Sequence, residues 1–108
     1  MSVSFNDLRE ANIARKKEWP GDDSCDLEFT AIEFAGEAGE LMESLKKFLR
    51  GQRGIKGSTA NIADIADEMG DVLVALDLLA NMLGIDLGNA VRHKFNKTSK
   101  KYGLETRL

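Results

Sequence analysis

Acidic residues recur at the same spacing in two segments of the chain, four and then three residues apart. The two sets are Glu33, Glu37 and Glu40, followed by Asp64, Glu68 and Asp71. In a helix, which turns about 100° per residue, this spacing places each set on one face. Carboxylates crowded in this way repel one another unless a cation lies between them. The pattern therefore indicates a divalent metal site, although acidic pairs on a helix surface also arise by chance.

The ligand types indicate which metal such a site would prefer. Carboxylate oxygens are the ligands that Mg²⁺ favours, together with water and substrate phosphates, and Mn²⁺ accepts the same ligands. A di-iron site in a helical bundle would instead require a Glu-x-x-His motif on two helices. The only histidine, His93, lies outside both acidic segments, and we expect it at the surface. The predicted cofactor is Mg²⁺, with Mn²⁺ as a substitute.

Glycines stand beside these acids at positions where helices are expected. They are Gly36, Gly39 and Gly70, and each costs roughly 0.5–1 kcal/mol relative to alanine inside a helix. Small residues at these positions would leave room for a ligand or for a close helix contact. Charge crowding and helix-weakening residues at one place are typical of a functional site.

Four helices are predicted to position these residues, because apolar side chains recur at three- and four-residue steps. Their expected ranges are 5–18, 27–50, 60–83 and 87–101. The expected N-caps are Ser4, with Asp7 closing a capping box, then Ser58 or Thr59 for the third helix and Asp86 for the fourth. Gly84 is expected to end the third helix. Each acidic set borders an apolar stripe, so packing the second and third helices through their stripes would bring the two sets together.

Length and composition limit the architecture and the class of protein. The 108 residues predict one all-α, four-helix bundle-like domain spanning the whole chain. A core this small favours assembly into dimers or tetramers. The net charge of -3 argues against a nucleic-acid binder, and no apolar run is long enough to cross a membrane. The single cysteine, Cys25, forms no internal disulfide, so we expect a soluble cytoplasmic protein.

The acidic segments resemble those of the MazG-like all-α nucleotide pyrophosphohydrolases. That family carries E-E-x-x-E on one helix and E-x-x-D on the next. The corresponding segments here are GEAGEL at 36–41 and EMGDVL at 68–73. The segment 83–87 and the basic helix that follows are also similar to the end of the family's domain. The resemblance covers about residues 19–102, which is most of the chain.

Two positions depart from the family's pattern. Gly36 replaces the first Glu of the double-Glu pair, so an outer acidic role is missing or is moved one turn earlier to Glu33. The closing helix has Thr98 where the family usually has Asn and Lys101 where it usually has Arg. Recognition of the base or sugar is therefore less well defined by the sequence than metal binding.

The resemblance implies an enzyme that cleaves nucleoside triphosphates between the α- and β-phosphates, to a monophosphate and pyrophosphate. It implies that Glu37, Glu40, Glu68 and Asp71 hold one or two Mg²⁺ ions, and that a carboxylate orients the attacking water. Glu33 and Asp64 are the candidate outer-shell residues. On the substrate side, the candidate phosphate ligands are Lys94, Lys97 and Lys101, and Trp19 is a candidate for stacking on the base.

Three functions remain open from the sequence. The first is a house-cleaning enzyme that acts on canonical or damaged nucleotides, and the second is a relative specific for dUTP, dCTP or phosphoribosyl-ATP. The third is a non-catalytic helical interaction module whose acids bind a metal only to stabilise an assembly. The glycine at position 36 is the best support for the third. The preferred nucleotide and the number of subunits do not follow from the sequence.

Overall fold

The computed structural model describes residues 1–108 and is all-helical. The α-helices are α1 (Phe5–Glu18), α2 (Leu27–Gln52), α3 (Ile62–Met82) and α4 (Leu87–Lys101), with a short 3₁₀ turn at Asp22–Ser24. There is no strand. The predicted class and the number of helices are confirmed, and the bounds of α1 and α4 agree with the expected ones. No helix combines the length and apolar character needed to cross a bilayer.

Local capping signals explain most helix ends. The Ser4 hydroxyl accepts a bond from the Asp7 N–H, and the Asp7 carboxylate accepts one from the Ser4 N–H, both at 3.0 Å. Asp86 caps α4 by accepting a bond of 2.9 Å from the backbone of Asn89. Gly84 adopts a left-handed conformation at φ 68° just after α3, where a side chain would be strained. These predictions are confirmed.

The predicted start of α3 is wrong. Neither Ser58 nor Thr59 caps the helix; Asn61 does, through a 2.9 Å bond from the Asp64 N–H to its side-chain oxygen. Asp64 returns the bond by accepting the Asn61 N–H at 2.9 Å. Asparagine caps a helix as well as serine does and better than threonine, so residue type gave no reason to prefer Ser58 or Thr59 over Asn61.

The principal packing unit is a hairpin of α2 and α3, which make the most extensive helix contact in the chain. Helix α1 lies against α3, and α4 packs chiefly on α1. The helices therefore form an open chain of contacts, α2 to α3 to α1 to α4, in which the hairpin is covered on one side only.

A buried ion pair joins α1 to α3. Asp77 is 1% exposed, and its carboxylate accepts bonds from the Arg9 guanidinium at 3.1 and 3.2 Å. Asn12 donates to the same carboxylate at 3.0 Å, and Arg9 also donates to the Ile85 carbonyl at 2.7 Å. The partners of Asp77 are 65 and 68 residues away in the chain, so no local sequence pattern predicted this pair.

The apolar stripes of α2 and α3 are only partly buried against each other. The fully buried apolar residues of the whole chain are Ile65, Ala75 and Ala80. Exposed stripe residues include Met42 at 56% on α2 and Met69 at 54% on α3. The expectation that the two stripes bury each other is therefore wrong in part. One edge of each stripe packs in the contact between α2 and α3, and the other edge is exposed.

Candidate metal and nucleotide site

Four carboxylates from the hairpin converge at one point. Each of Glu37, Glu40, Glu68 and Asp71 offers an oxygen, and these oxygens all lie within 4.8 Å of one another. Within each helix the two acids are three residues apart and so share a face. Packing of α2 on α3 brings the two pairs together. A divalent ion bound by several carboxylates requires oxygens at this kind of separation.

The site has a half-buried side and an exposed side. Glu37 and Glu68 are half-buried in the seam between the helices, whereas Glu40 and Asp71 are exposed at its edge. One oxygen of Glu37 and one of Glu68 have almost no contact with solvent and no hydrogen-bond partner. Buried carboxylate oxygens normally have a partner, and a cation would supply one to both of them.

The crowding alters the acidity of both half-buried residues. Burial raises the pKa of Glu37 above the ordinary 4.5, and the neighbouring carboxylates of Glu40, Asp71 and Glu68 raise it further. Burial likewise raises the pKa of Glu68 above 4.5, with Glu40 and Asp71 as the main charged neighbours. Both shifts arise because burial and the neighbouring negative charges disfavour the ionised forms. The donor set, the unpartnered oxygens and the direction of the shifts all fit a divalent metal ion.

The outer acids lie apart from this cluster. Glu33 is exposed on α2 and Asp64 belongs to the capping box of α3; neither contributes an oxygen to the group of four. Asp64 is near enough to raise the pKa of Glu68 slightly. An outer-shell role for Glu33 and Asp64 stays a prediction.

The glycines beside the acids face open space. A Cβ added at Gly36, Gly39 or Gly70 would meet no atom within 4 Å. No close contact between helices of this chain therefore explains them. Of the two explanations expected from the sequence, room for a ligand and a close helix contact, the structure is consistent with the first. The open space beside these glycines can be filled by a ligand or by another protein surface.

The substrate-side residues lie on other elements. Lys94, Lys97 and Lys101 are exposed on α4, which packs chiefly on α1 rather than on the site's helices. Trp19 is 64% exposed just after α1. His93 is exposed, as expected. The chain's ion pairs are Arg9–Asp77, Lys16–Asp22 and Lys46–Glu43, so no lysine or arginine pairs with the four carboxylates.

The comparison with known families shows the family to which these helices belong. The sequence model of the MazG nucleotide pyrophosphohydrolase domain matches residues 27–103. The chain belongs to the MazG family. No curated relative matches it significantly. The matched range begins at the start of α2 and ends just after α4, so it contains all four clustered carboxylates and the three lysines.

Membership in the MazG family makes the chain a nucleotide pyrophosphohydrolase, a hydrolase of phosphoric anhydrides. The family is divalent-metal dependent, in agreement with the carboxylate cluster. Helix α1, which carries Arg9 and Asn12, precedes the matched range. It is joined to the MazG-type helices by the Asp77 ion pair.

A cleft on the uncovered side of α2 was not predicted. It encloses about 410 Å³. Its lining combines an apolar floor with basic side chains from the end of α2 and the loop after it: Met42, Leu45, Lys46, Leu49, Arg50, Arg53 and Ile55. Arg50 donates to the Ser58 carbonyl at 2.7 Å, so its guanidinium is bound to the connection between α2 and α3, residues 53–61.

Proposed function

We propose that this MazG-family protein is a Mg²⁺-dependent enzyme that cleaves (deoxy)nucleoside triphosphates between the α- and β-phosphates, releasing a monophosphate and pyrophosphate. A role in cleaning the nucleotide pool follows from that activity. The observation that carries the proposal is the convergence of four carboxylate oxygens within 4.8 Å inside the family's matched range.

Glu37, Glu40, Glu68 and Asp71 are the proposed metal ligands, and Mn²⁺ would bind the same oxygens. The bound ion supplies charge neutralisation for the triphosphate and a lower pKa for a coordinated water. Glu37 and Glu68 are half-buried between α2 and α3, and in this proposal they bind the ion from the inner side of the site. Glu40 and Asp71 are exposed, and in this proposal they lie on the side from which the substrate binds. A carboxylate oxygen left free by the metal, on Glu37 or Glu40, orients the attacking water and accepts its proton.

Substrate binding is proposed to use residues beyond the carboxylates. Lys94, Lys97 and Lys101 share a face of α4 and can neutralise phosphate oxygens as compact point charges. The exposed indole of Trp19 offers an aromatic surface on which a base can stack. The open space beside Gly36 and Gly39 leaves room for the nucleotide on α2.

The experiment that tests this function is pyrophosphate release from a panel of nucleotides. The panel contains the canonical and oxidised deoxynucleoside triphosphates, dUTP, dCTP and phosphoribosyl-ATP, each with Mg²⁺, with Mn²⁺ and with EDTA. We expect pyrophosphate rather than orthophosphate as the product, and no turnover in EDTA. Orthophosphate as the only product, or no turnover of any nucleotide, would contradict the proposal.

Glu40→Gln provides the matching variant. It removes one ligand charge at an exposed position, so the fold should survive, and we expect turnover to fall about 100-fold or more. Glu43→Gln is the control on the same helix, because Glu43 is exposed and pairs with Lys46 at 3.0 Å. A wild-type rate for Glu40→Gln would remove Glu40 from the proposed ligand set.

We further propose that the protein works as a homo-oligomer. Its accessible surface is 8139 Å², whereas a compact monomer of 11.9 kDa would expose about 5,900 Å². The radius of gyration of 17.0 Å similarly exceeds the roughly 13 Å of a compact chain of this length. The chain thus exposes on the order of 2,000 Å² more surface than a compact monomer would, which is the size of a stable protein interface. A second copy that covers the open side of the hairpin would bury this additional surface.

A further inference from the structure

The cleft at the C-terminal end of α2 lies apart from the carboxylate cluster. Its volume of about 410 Å³ falls within the roughly 300–1,000 Å³ that small-molecule sites occupy. Since an α-helix turns by about 100° per residue, Met42 lies about 140° round α2 from Glu37, and Leu49 lies about 180° from Glu40. The cleft therefore faces away from the proposed metal site, and a nucleotide bound at the four carboxylates does not fill it.

The connection after α2 forms one wall of the cleft. Arg53 ends the helix, and Gly54, in a left-handed conformation at φ 65°, reverses the chain. The Ile55 N–H then donates to the Arg50 carbonyl at 3.0 Å, and the Gly54 N–H donates to the Gly51 carbonyl at 3.3 Å. These are the two bonds of a Schellman motif, so both carbonyls are satisfied without a cation. The motif turns Ile55 back along the helix, where it lines the cleft.

The same connection holds one cation of the cleft in place. Arg50 donates to the carbonyl and to the hydroxyl of Ser58, at 2.7 and 3.3 Å. Gly57 lies against the same side chain, because a Cβ at this position would meet the Arg50 Cδ at 2.9 Å. The chain itself thus fixes the Arg50 guanidinium, which lowers the entropy cost of binding an anion there.

The three cations of the cleft share one side of α2. Lys46, Arg50 and Arg53 follow one another at steps of four and three residues, which keeps them on one face of a helix. Lys46 forms an ion pair with Glu43 at 3.0 Å, whereas Arg53 is exposed and forms none. Three cations and one paired carboxylate leave two positive charges at the cleft that the chain does not compensate.

The rest of the lining is apolar and offers no hydrogen-bonding side chain. It consists of Met42, Leu45, Leu49 and Ile55. A nucleobase carries donors and acceptors round its edge, and aliphatic side chains satisfy none of them. A hydrocarbon group needs no such partners and gains about 25 cal/mol for each Å² that it buries. The lining therefore favours a ligand with an apolar body over one with a polar ring.

The charge of the cleft favours a phosphate monoester as the anionic group. Such a group carries about -1.5 to -2 charges at pH 7 and three acceptor oxygens, which matches the two uncompensated positive charges. A carboxylate, with one charge, would leave a cation without a partner. Arginine binds phosphate oxygens in bidentate fashion, and Arg50 and Arg53 are two of the three cations. A second copy of the same cleft is a poor occupant, because a two-fold contact would place cations against cations.

We propose that this cleft binds a small phosphate monoester with an apolar body. The phosphate lies on Lys46, Arg50 and Arg53, and the body lies on the four apolar side chains. The inference goes beyond the proposed function and does not depend on it, since the ligand needs no divalent metal ion and no carboxylate of the cluster. A nucleoside monophosphate shares the phosphate of this ligand but not its apolar body.

Isothermal titration calorimetry of the full chain, without divalent ions, tests the site. The probe is n-hexyl phosphate below its critical micelle concentration. Inorganic phosphate supplies the head alone, 1-hexanol the body alone, and dTMP a phosphate on a polar ring. We expect hexyl phosphate to bind once per chain and about ten-fold or more tightly than each of the other three. Equal affinity for inorganic phosphate would show an adventitious ion only, and equal affinity for dTMP would show a nucleotide site; either result would overturn the proposal.

Matched variants locate the bound probe. Arg53→Met removes the unpaired guanidinium, and Ile55→Asn makes one wall polar at a residue that is 55% exposed, so the fold should survive both changes. We expect each variant to bind hexyl phosphate about five-fold more weakly. Lys56→Met also removes one positive charge, beside Ile55 but outside the lining, and should change the affinity by less than about two-fold. Equal losses in Arg53→Met and Lys56→Met would mean general attraction of anions and no built site.

Glu43→Gln gives a prediction of opposite sign. It removes the carboxylate that pairs with Lys46 and so adds to the uncompensated positive charge of the cleft. We expect hexyl phosphate to bind about two-fold more tightly to this variant. Weaker binding to Glu43→Gln would contradict the placement of the phosphate on these cations.

A competition experiment separates this inference from the proposed function. Saturation with an α,β-methylene deoxynucleoside triphosphate and Mg²⁺ should leave the affinity for hexyl phosphate unchanged, because the cleft faces away from the carboxylates. Displacement of one ligand by the other would make the cleft part of the nucleotide site, against the inference. A wild type that releases no pyrophosphate, but binds hexyl phosphate through Arg53 and Ile55, would refute the proposed function and support the inference.

Discussion

The two buried, unpartnered oxygens of Glu37 and Glu68 make stability depend on pH in a particular direction. Both pKa values are raised in the folded chain, so folding favours the protonated carboxyls. Their contribution is therefore fully present below the ordinary pKa of 4.5 and is lost as pH rises through the raised values. We expect the melting temperature in EDTA, measured relative to Glu37→Gln, to fall as pH increases through this range.

Added Mg²⁺ should reverse that trend, because the ion binds the ionised carboxylates of the folded state. At neutral pH the melting temperature of the wild type should rise with Mg²⁺ concentration, while that of Glu37→Gln should rise much less. Comparison with the variant removes the other titrating groups, including Asp7 and Glu43, whose pKa values are lowered by hydrogen bonds. A difference between the two proteins that stays constant with pH in EDTA would show that Glu37 is not strained by its neighbours.

The Asp77 ion pair is a second residue-scale feature with a measurable consequence. Asp77→Ala leaves the Arg9 guanidinium, which is 22% exposed, without its carboxylate, and Asn12 loses its acceptor. Removing one partner of a buried pair costs about 3 kcal/mol. We expect that loss in the free energy of unfolding, measured with urea. Asp23→Ala, at an exposed acid that makes no ion pair, is the control and should change the stability little.

At the scale of the helices, much of the structure could be predicted because the signals are local. The ends of α1 and α4 follow from Ser4, Asp86 and the Trp19-Pro20 step, all of which act within one turn of the helix. The clustering of the four acids could also be predicted from the sequence. The same local spacing occurs on two helices that are neighbours in the chain, and such helices usually pack together. The side of each stripe that remains uncovered could not be predicted, because it depends on how the helices cross.

The start of α3 was predicted wrongly from the sequence, and its observed N-cap, Asn61, can be tested directly. Asn61→Ala removes the cap and one half of the capping box with Asp64, so we expect a loss of about 1 kcal/mol in the free energy of unfolding. Thr59→Ala, two residues earlier and outside the helix, should cost only a few tenths. Equal losses in the two variants, measured by chemical denaturation, would mean that the helix begins earlier than Asn61.

On the scale of the whole molecule, the sequence showed that the core would be small but not how the chain would compensate. Only three apolar residues are fully buried, and the four helices spread over 48 × 45 × 30 Å. Helix α1 is held on α3 by the Asp77 pair, a contact between residues far apart in the sequence that no local pattern reveals.

Assembly through the uncovered edge of the hairpin is the whole-molecule prediction. Leu73 is 47% exposed on α3, and replacing it with aspartate would place a charge in the proposed interface, where desolvation without a partner is costly. We expect Leu73→Asp to elute as a smaller species in size-exclusion chromatography with light scattering, and to melt at a temperature that no longer depends on protein concentration, whereas the wild type melts higher as concentration rises. Val3→Asp, at an exposed apolar residue ahead of α1, should change neither property. The smaller species should keep its helices in circular dichroism. A Leu73→Asp protein that stays oligomeric would place the interface on another surface of the chain.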